Sequence, residues 1–313
     1  MDTGGASVQK ERNRRFIAGL IIICLAAVLT VSAYAETKPL GMDLTTHGMP
    51  LRDDGWVEPG VEYRDESIHA VLTKDRFHNV YVRTIVIEIA DASQLRSTLS
   101  YENFEDQRLA RSLDMAKSVN ALAAVNDDFV KFNKFQGYVM RQGVFYQDTL
   151  EKLQKPQDVL IIDNEGDFYV VIKASTGTVE SKLAELKENN REPVNIFTFG
   201  PTLVLDGQPL DCPTEDSIHS MHLKGARAVI GQLDHLKYFI MTVDGAMSEG
   251  TGMTGNQLAG FIAEHFPECK VAYNLDGGNS SKLIFGGKEL NSARGQGRKI
   301  SGLIYFASAV TEE

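Results

Sequence analysis

From Val61 onward, short apolar or alternating runs closed by turn residues recur along the chain. The clearest is Val80–Ile89, in which Val80, Val82, Thr84, Val86 and Glu88 alternate with Tyr81, Arg83, Ile85, Ile87 and Ile89. This two-residue period is that of a strand with one face toward a core. Strand signals recur at Ala121–Val125, Val159–Ile162, Phe168–Ile172, Phe197–Phe199, Leu203–Leu205, Ala226–Ile230, Tyr238–Val243, Val271–Tyr273, Lys282–Phe285 and Leu303–Phe306. Turn groups such as Asp163-Asn164-Glu165-Gly166 and Asp206-Gly207 join several neighbours as hairpins. Helical spacing is confined to Asp106–Val119, with Leu109, Leu113, Ala116 and Val119 on one face, to Val179–Lys187, and to Thr254–His265 with Thr254 as its cap. The expected fold is α+β, a strand-rich domain of mostly antiparallel or mixed sheet with a few helices.

The N-terminus is different. Phe16–Ala33 is an apolar run of eighteen residues without a charge, preceded by Lys10, Arg12, Arg14 and Arg15. It is long enough to span hydrocarbon, and the basic flank places the N-terminus in the cytoplasm and the body outside. Ala33-Tyr34-Ala35 offers a small-x-small cleavage site, so a removed signal peptide competes with a retained anchor, and the length of the run favours the anchor. The domain expectation is therefore a cytoplasmic tip and anchor over 1–35, a polar, Gly- and Pro-bearing spacer over 36–60, and a folded domain over 61–313.

Charge narrows the partners. Residues 1–35 hold four basic and two acidic residues, and the remainder carries 28 Lys and Arg against 40 Asp and Glu, a net charge of −12. Such a surface repels polyanions at long range, which argues against nucleic acid and leaves any anionic substrate to local arginines. Cys212 and Cys269, the two cysteines outside the apolar run, are compatible with one disulfide or with two buried thiols. Neither they nor the seven histidines show a zinc-binding spacing.

Several strand ends carry polar clusters. Asn126-Asp127-Asp128 closes Ala121–Val125, Asp244-Gly245 closes Tyr238–Val243, and Asn274-Leu275-Asp276-Gly277-Gly278-Asn279-Ser280-Ser281 closes Val271–Tyr273. The last group reads as a polar hairpin turn or as a site, because a carboxylate, amides and hydroxyls surround a Gly-Gly hinge that lets backbone approach a ligand. Arg141 and Arg227 lie in strand-like stretches as well. Apolar strands that bring acids and arginines to their ends are how many enzymes assemble a site.

Six motifs occur in a telling order: Asn126-x-Asp128-Phe129, Gly137-Tyr138-Val139-x-Arg141-x-Gly143-Val144, Phe199–Gly207, Arg227-Ala228-Val229-Ile230-Gly231, Val243-Asp244-Gly245 and Asn274–Ser281. In this order, over Leu109–Phe306, the chain resembles the phosphodiester glycosidase family, and in particular its membrane-anchored bacterial members. The resemblance implies hydrolysis of a sugar joined through its anomeric carbon to a phosphodiester, in envelope or exopolysaccharide metabolism, without a required cofactor. Breaking that bond creates an oxocarbenium-like centre that a carboxylate must stabilise or attack. Asp276 is the first candidate, Asp128 the second and Asp244 the third. The phosphate leaving group, with a second pKa of about 6, needs charge stabilisation more than a proton. Arg227, Arg141 and Arg298 are its candidate partners in that order. Gly277, Gly278, Asn279, Ser280 and Ser281 would complete an oxyanion nest, while Asn126 and Asn274 would hold sugar hydroxyls or orient the acids.

The chain departs from the family pattern at Asp127, Gln257, Asn279, Lys282 and Gly297, where relatives often carry Gly, Glu, Gly, Thr and Glu. Such changes fit a different substrate or reduced activity, and Lys282 would add a cation beside the nest. Two alternatives stay open. Asp127, Asp128, Asp244 and Asp276 are oxygen ligands of the kind that hold Ca²⁺ or Mg²⁺ in a metal-dependent phosphodiesterase. A non-catalytic glycan-binding or envelope-assembly protein would explain the departures with no chemistry.

Overall fold

The computed structural model describes residues 47–100, 108–128, 137–150, 157–212, 220–246, 249–290 and 298–310. The apolar run Phe16–Ala33 and the cleavage motif after it lie outside the described residues. Among the described residues no helix is long and apolar enough to cross a membrane.

Two short strands, β1 (Trp56–Glu58) and β2 (Glu62–Arg64), lead into a long hairpin, β3 (Ile68–Phe77) and β4 (Val80–Ile89). After β5 (Leu95–Leu99) and β6 (Ala110–Arg111) come a short helix α1 (Ser112–Ser118), then β7 (Ala123–Asn126), β8 (Gly137–Arg141) and β9 (Val144–Thr149). The hairpin β10 (Asp158–Asp163) and β11 (Phe168–Val171) precedes α2 (Thr176–Glu188), β12 (Pro193–Phe199), β13 (Thr202–Leu205) and β14 (Gln208–Pro209). A second long hairpin, β15 (Arg227–Asp234) and β16 (Lys237–Val243), leads to α3 (Gly255–His265) and β17 (Val271–Leu275). The last strands are β18 (Leu283–Phe285), β19 (Lys288–Glu289), β20 (Lys299–Ile300) and β21 (Gly302–Phe306).

These strands form three main sheets. The largest has the order β1-β2-β3-β4-β16-β15-β17-β13-β14, the second β11-β10-β12-β8-β9 and the third β19-β18-β7-β21-β5. Every described ladder in them is antiparallel. The sheets share one central core: Ile85, Ile87, Ile230, Ile240 and Tyr273 come from the first, Leu160 and Phe197 from the second, Val125, Phe285 and Phe306 from the third. One helix then covers the outer face of each sheet. Leu258 and Ile262 of α3 pack on Val229, Met241 and Ala272; Val179 and Leu186 of α2 on Val159, Ile161 and Ile196; Met115 and Ala116 of α1 on Ala124, Ile284 and Leu303. Strands covered on both faces need apolar residues at every position, which is why β7 and β10 read as continuous apolar runs rather than as alternation.

The alternation in β4 has a further reason. Val80 and Val82 join the core under α3, whereas Ile85, Ile87 and Ile89 enter the central core, so one strand serves two cores through its opposite faces. Helix α3 begins as its sequence predicts. Thr254 Oγ1 accepts the Gln257 N–H at 3.2 Å and Gln257 Oε1 accepts the Thr254 N–H at 3.0 Å, a reciprocal cap.

Two boundaries differ from expectation. Helix α1 starts at Ser112 instead of Asp106, because Ala110 and Arg111 pair with Ile300 and Lys299 in a small two-stranded ladder that draws them out of helical geometry; residues 106 and 107 are outside the described residues. The folded body also takes in residues assigned above to the spacer: Gly48 N–H donates to Val119 O at 3.1 Å, and the Trp56 ring packs edge-on against Tyr63 and Phe285, 5.2 and 5.4 Å between centroids. Cys212 and Cys269 are both free and buried, and burial pushes their thiols up to about 11 and about 12.

Candidate active site

The topology converges on one edge. Strands β16 and β17 both run antiparallel to β15, so Asp244 and Asp276 leave the large sheet at the same edge. There β7 delivers Asn126, Asp127 and Asp128 from the third sheet, and β8 ends in Arg141 from the second. The Asp276 N–H donates to Asp127 O at 3.3 Å and joins the two acid-bearing loops.

Asn126 locks this junction. Its Oδ1 accepts the Lys282 N–H at 2.8 Å, and its Nδ2 donates to Asp276 O at 2.8 Å and to Asp127 O at 3.1 Å. Every polar atom of the buried carboxamide is thus engaged with backbone. Of the two roles foreseen for it, the geometry matches orienting the acids.

Beneath the junction lie two buried carboxylates and one guanidinium. Arg141 Nη2 donates to Asp127 Oδ2 at 3.2 Å and also to Asp128 Oδ1, while Nη1 donates to the carbonyls of Met140 and Ile196 at 3.0 and 2.6 Å. The guanidinium stacks 4.1 Å from the Phe197 ring centre. Asp128 Oδ2 also accepts the Thr198 N–H at 2.9 Å. Burial raises both carboxyls above the ordinary range, Asp127 further through the neighbouring Asp128 charge, and Arg141 opposes the rise. The donors on Asp128 favour its ionised form over that of Asp127. Gly302 is required opposite: a Cβ there would overlap the Asp127 carboxylate.

Above this floor is a cleft of about 320 Å³, lined by Asn126, Asp127, Asp128, Asp276 and Ser280, with Leu109 and Arg298 to Ser301 on the other wall. The volume suits a small polar ligand. Asp276 is half-buried, and burial pushes its carboxyl up to about 6 against hydrogen bonds from Ser280 and the Gly277 N–H and the charge of Arg298. Among the described residues Arg298 and Lys299 are the cations lining the cleft, and both are exposed.

Part of the donor set expected for an oxyanion nest is engaged within the protein in this conformation. The Gly278 N–H donates to Ala226 O at 3.0 Å, the Ser280 N–H to Gly277 O at 3.1 Å and the Ser281 N–H to Gly278 O at 3.3 Å, while the Gly277 N–H serves the Asp276 carboxylate. Asn279 is exposed, and Ser281 Oγ is buried without a partner among the described residues.

Three other residues stand away from the cleft wall. Asp244 pairs with Arg83 at 2.7 Å, two strands along the edge from Asp276. Arg227 is buried on the opposite face of the large sheet, where Nε donates to Met253 O at 3.1 Å and Nη2 to Ser220 O and Leu223 O at 3.1 and 2.6 Å. Burial pulls its pKa down to about 10. Asn274 donates to Gly200 O at 2.8 Å. Lys282 departs from its expected role as a cation beside the nest: it is buried, and its Nζ donates to Glu289 Oε1 at 3.0 Å. Four aspartates do not gather as a cation site. Arg141 occupies the position between Asp127 and Asp128 that a metal would take, Arg83 holds Asp244, and among the described residues no three His, Cys, Asp or Glu side chains are arranged to hold a metal ion.

Lys299, Ile300, Ser301 and the Thr198 N–H are parts of the site that sequence reading did not identify. A glycine at the start of an apolar strand, Gly302, was the available signal, since such a residue marks close approach of another group.

Residues 119–307 match the family described as phosphodiester glycosidase. The structure is similar to the catalytic domain of zebrafish N-acetylglucosamine-1-phosphodiester α-N-acetylglucosaminidase, auto-inhibited by its pro-peptide, with 16% identity and a TM-score of 0.59 over 87% of this chain and 99% of that one. A hypothetical protein from Synechocystis is similar at 15% identity and a TM-score of 0.48, over 77% of this chain and 62% of that one. No curated protein matches the sequence. The family match runs from just before β7 to just after β21 and so takes in Asn126, Asp128, Arg141, Asp276 and Arg298, which means that all of the cleft lining except Leu109 comes from the matched part of the chain and that this protein belongs to the phosphodiester glycosidase family.

Proposed function

We propose that the protein is an extracytoplasmic hydrolase that cleaves the glycosidic bond of a sugar-1-phosphodiester in envelope or exopolysaccharide metabolism, anchored by Phe16–Ala33. The observation that carries the reading is Asp276, half-buried at the open side of a cleft whose floor is the Asp127–Asp128–Arg141 cluster and whose rim bears Arg298 and Lys299. With its carboxyl near 6, Asp276 is mostly ionised at neutral pH and stabilises or attacks the anomeric carbon as positive charge develops there. Asp128 is held in one orientation by Arg141 and Thr198 and fixes negative charge below the sugar. The departing phosphate monoester is a weak base, so the rim cations suffice to stabilise it.

The position of bond cleavage tests this reading. Hydrolysis in ¹⁸O water of a sugar-1-phosphodiester places label on the sugar if the anomeric C–O bond breaks, and activity then persists in a chelator. Label in the phosphate product would mean attack at phosphorus and overturn the proposal.

A further inference from the structure

The hairpin of β3 and β4 projects from the same sheet edge as the cleft, because Val82 on β4 pairs with Val243 and Val243 pairs with Arg227 at the start of β15. Leu72 and Ile85, on one face of this hairpin, pack on the central core. Beyond them that face carries no further core residue. Lys74 lies directly across from Arg83, and Arg76 directly across from Tyr81. The result is three cations around one tyrosine. Lys74 Nζ is 4.0 Å from the centre of the Tyr81 ring, and the Arg83 and Arg76 guanidinium carbons are 5.7 and 5.9 Å away. Tyr81 remains 41% exposed.

Folding explains only part of this arrangement: Arg76 Nε donates to His78 O at 3.1 Å in the hairpin turn, which accounts for Arg76 but not for the gathering of cations. Like charges directly opposite each other on a sheet are destabilising, and the chain as a whole carries a charge of −10, so acids to interleave are plentiful. Asp244 neutralises Arg83, but among the described residues neither Lys74 nor Arg76 has a carboxylate partner. Asp75, between them in sequence, points to the opposite face, as the alternation of a strand requires. Cations gathered on an exposed ring suit a phosphate placed between the charges and a sugar laid on the aromatic face.

We propose that Lys74, Arg76, Arg83 and Tyr81 form a subsite for an anionic aglycone, and that the substrate is a polyanionic glycan phosphate carrying at least one further phosphate beyond the scissile one. This rests on the hydrolase reading above. Arg83 lies three inter-strand spacings from Leu275, about 14 Å. A chain running from the Arg298 rim past Asp244 therefore reaches the strip with its second or third anionic group.

The test uses the full chain in detergent micelles and inorganic polyphosphate of about fifteen units as probe, with binding followed by fluorescence anisotropy at several salt concentrations. Wild type is expected to bind with marked salt dependence, and the double variant Lys74→Glu, Arg76→Glu to bind at least about 10-fold more weakly. Lys173→Glu, Lys187→Glu, the same charge change beside and on α2, is expected to lose less than about 2-fold. No binding by wild type, equal binding by both proteins, or an equal loss in the α2 control would overturn the subsite. Steady-state kinetics adds a second reading: the hairpin variant raises KM for a sugar-1-phosphodiester with a phosphorylated aglycone, leaves its kcat unchanged, and leaves KM unchanged for one with a neutral aglycone. Binding needs no turnover, so failure of the hydrolase reading and failure of the subsite appear in different measurements.

Discussion

Replacing Asp276 with asparagine is expected to stabilise the fold while removing activity. Burial lifts this carboxyl from 3.8 to about 6, against the hydrogen bonds of Ser280 and Gly277 and the charge of Arg298. Between those two values the folded chain binds more proton than the unfolded chain. Stability from this group is therefore fully present below pH 3.8, is lost as pH rises through about 6, and stays lower by a constant amount above that. Two pH units correspond to about 2.7 kcal/mol. Solvent reaching the exposed side of the carboxylate reduces this to about 1–2 kcal/mol. Asparagine keeps the shape and the acceptor oxygen and has nothing to ionise. In urea unfolding the variant should exceed wild type by about 1–2 kcal/mol at pH 7.5 and by much less at pH 4.5. Its kcat/KM should fall at least about 10²-fold, roughly 2.7 kcal/mol of transition-state stabilisation. A variant that is less stable than wild type at pH 7.5, or whose gain is the same at both pH values, would refute the reasoning, because Asp276 would then be a structural acid.

Arg141→Met should cost about 3–5 kcal/mol in urea unfolding, because it leaves Asp127 and Asp128 buried without their cation; a loss below about 1 kcal/mol would mean the pair is not charged. Asn126→Ala strands the Lys282 N–H and the Asp276 carbonyl and leaves Asp127 O with only the Asp276 N–H, so it should lower stability by about 2 kcal/mol and lower kcat in the folded fraction, read by urea unfolding and by assay well below the midpoint. The two arginines should separate: Arg227→Ala lowers stability by about 1–3 kcal/mol, because Leu223 O loses its donor and Met253 O and Ser220 O each keep only a backbone one, whereas Arg298→Ala stays within about 0.5 kcal/mol of wild type and lowers kcat/KM for the phosphodiester. Exchange of these two outcomes would assign Arg227, and not Arg298, to the substrate.

Most of the fold was legible because its signals are local. Thr254 and Gln257 announce α3 by themselves, and the alternation from Val80 to Ile89 names the faces of β4 before any partner is known. The start of α1 was not legible: Ala110 and Arg111 continue the helical spacing, and only the distant Lys299 and Ile300 draw them into a ladder. The site divides in the same way. Strand ends bearing Asn126, Asp128 and Asp276 could be read as one edge, since apolar runs terminate there. Which way a side chain turns after the last paired residue could not, so Arg227 and Asp244 ranked beside groups that line the cleft. The paired role of Asp127 depends on Arg141 arriving from another sheet, a contact with no sequence neighbour to announce it.

Because β4 faces two cores, its position along the sheet is pinned from both sides. A slip of one residue would carry Ile85 and Ile87 out of the central core and Val82 out from beneath α3, so insertions within the strand are closed to the protein. The tip at His78 and Asn79 is under no such constraint, being exposed and joined to neither core. Adding pairs of residues there would lengthen the arm beyond Phe77 and Val80 while Lys74, Arg76, Tyr81, Arg83 and the packed rows stay where they are. Hairpin length can thus be altered in even steps at the tip, without disturbing the charged strip or the acids at the far end of the same edge.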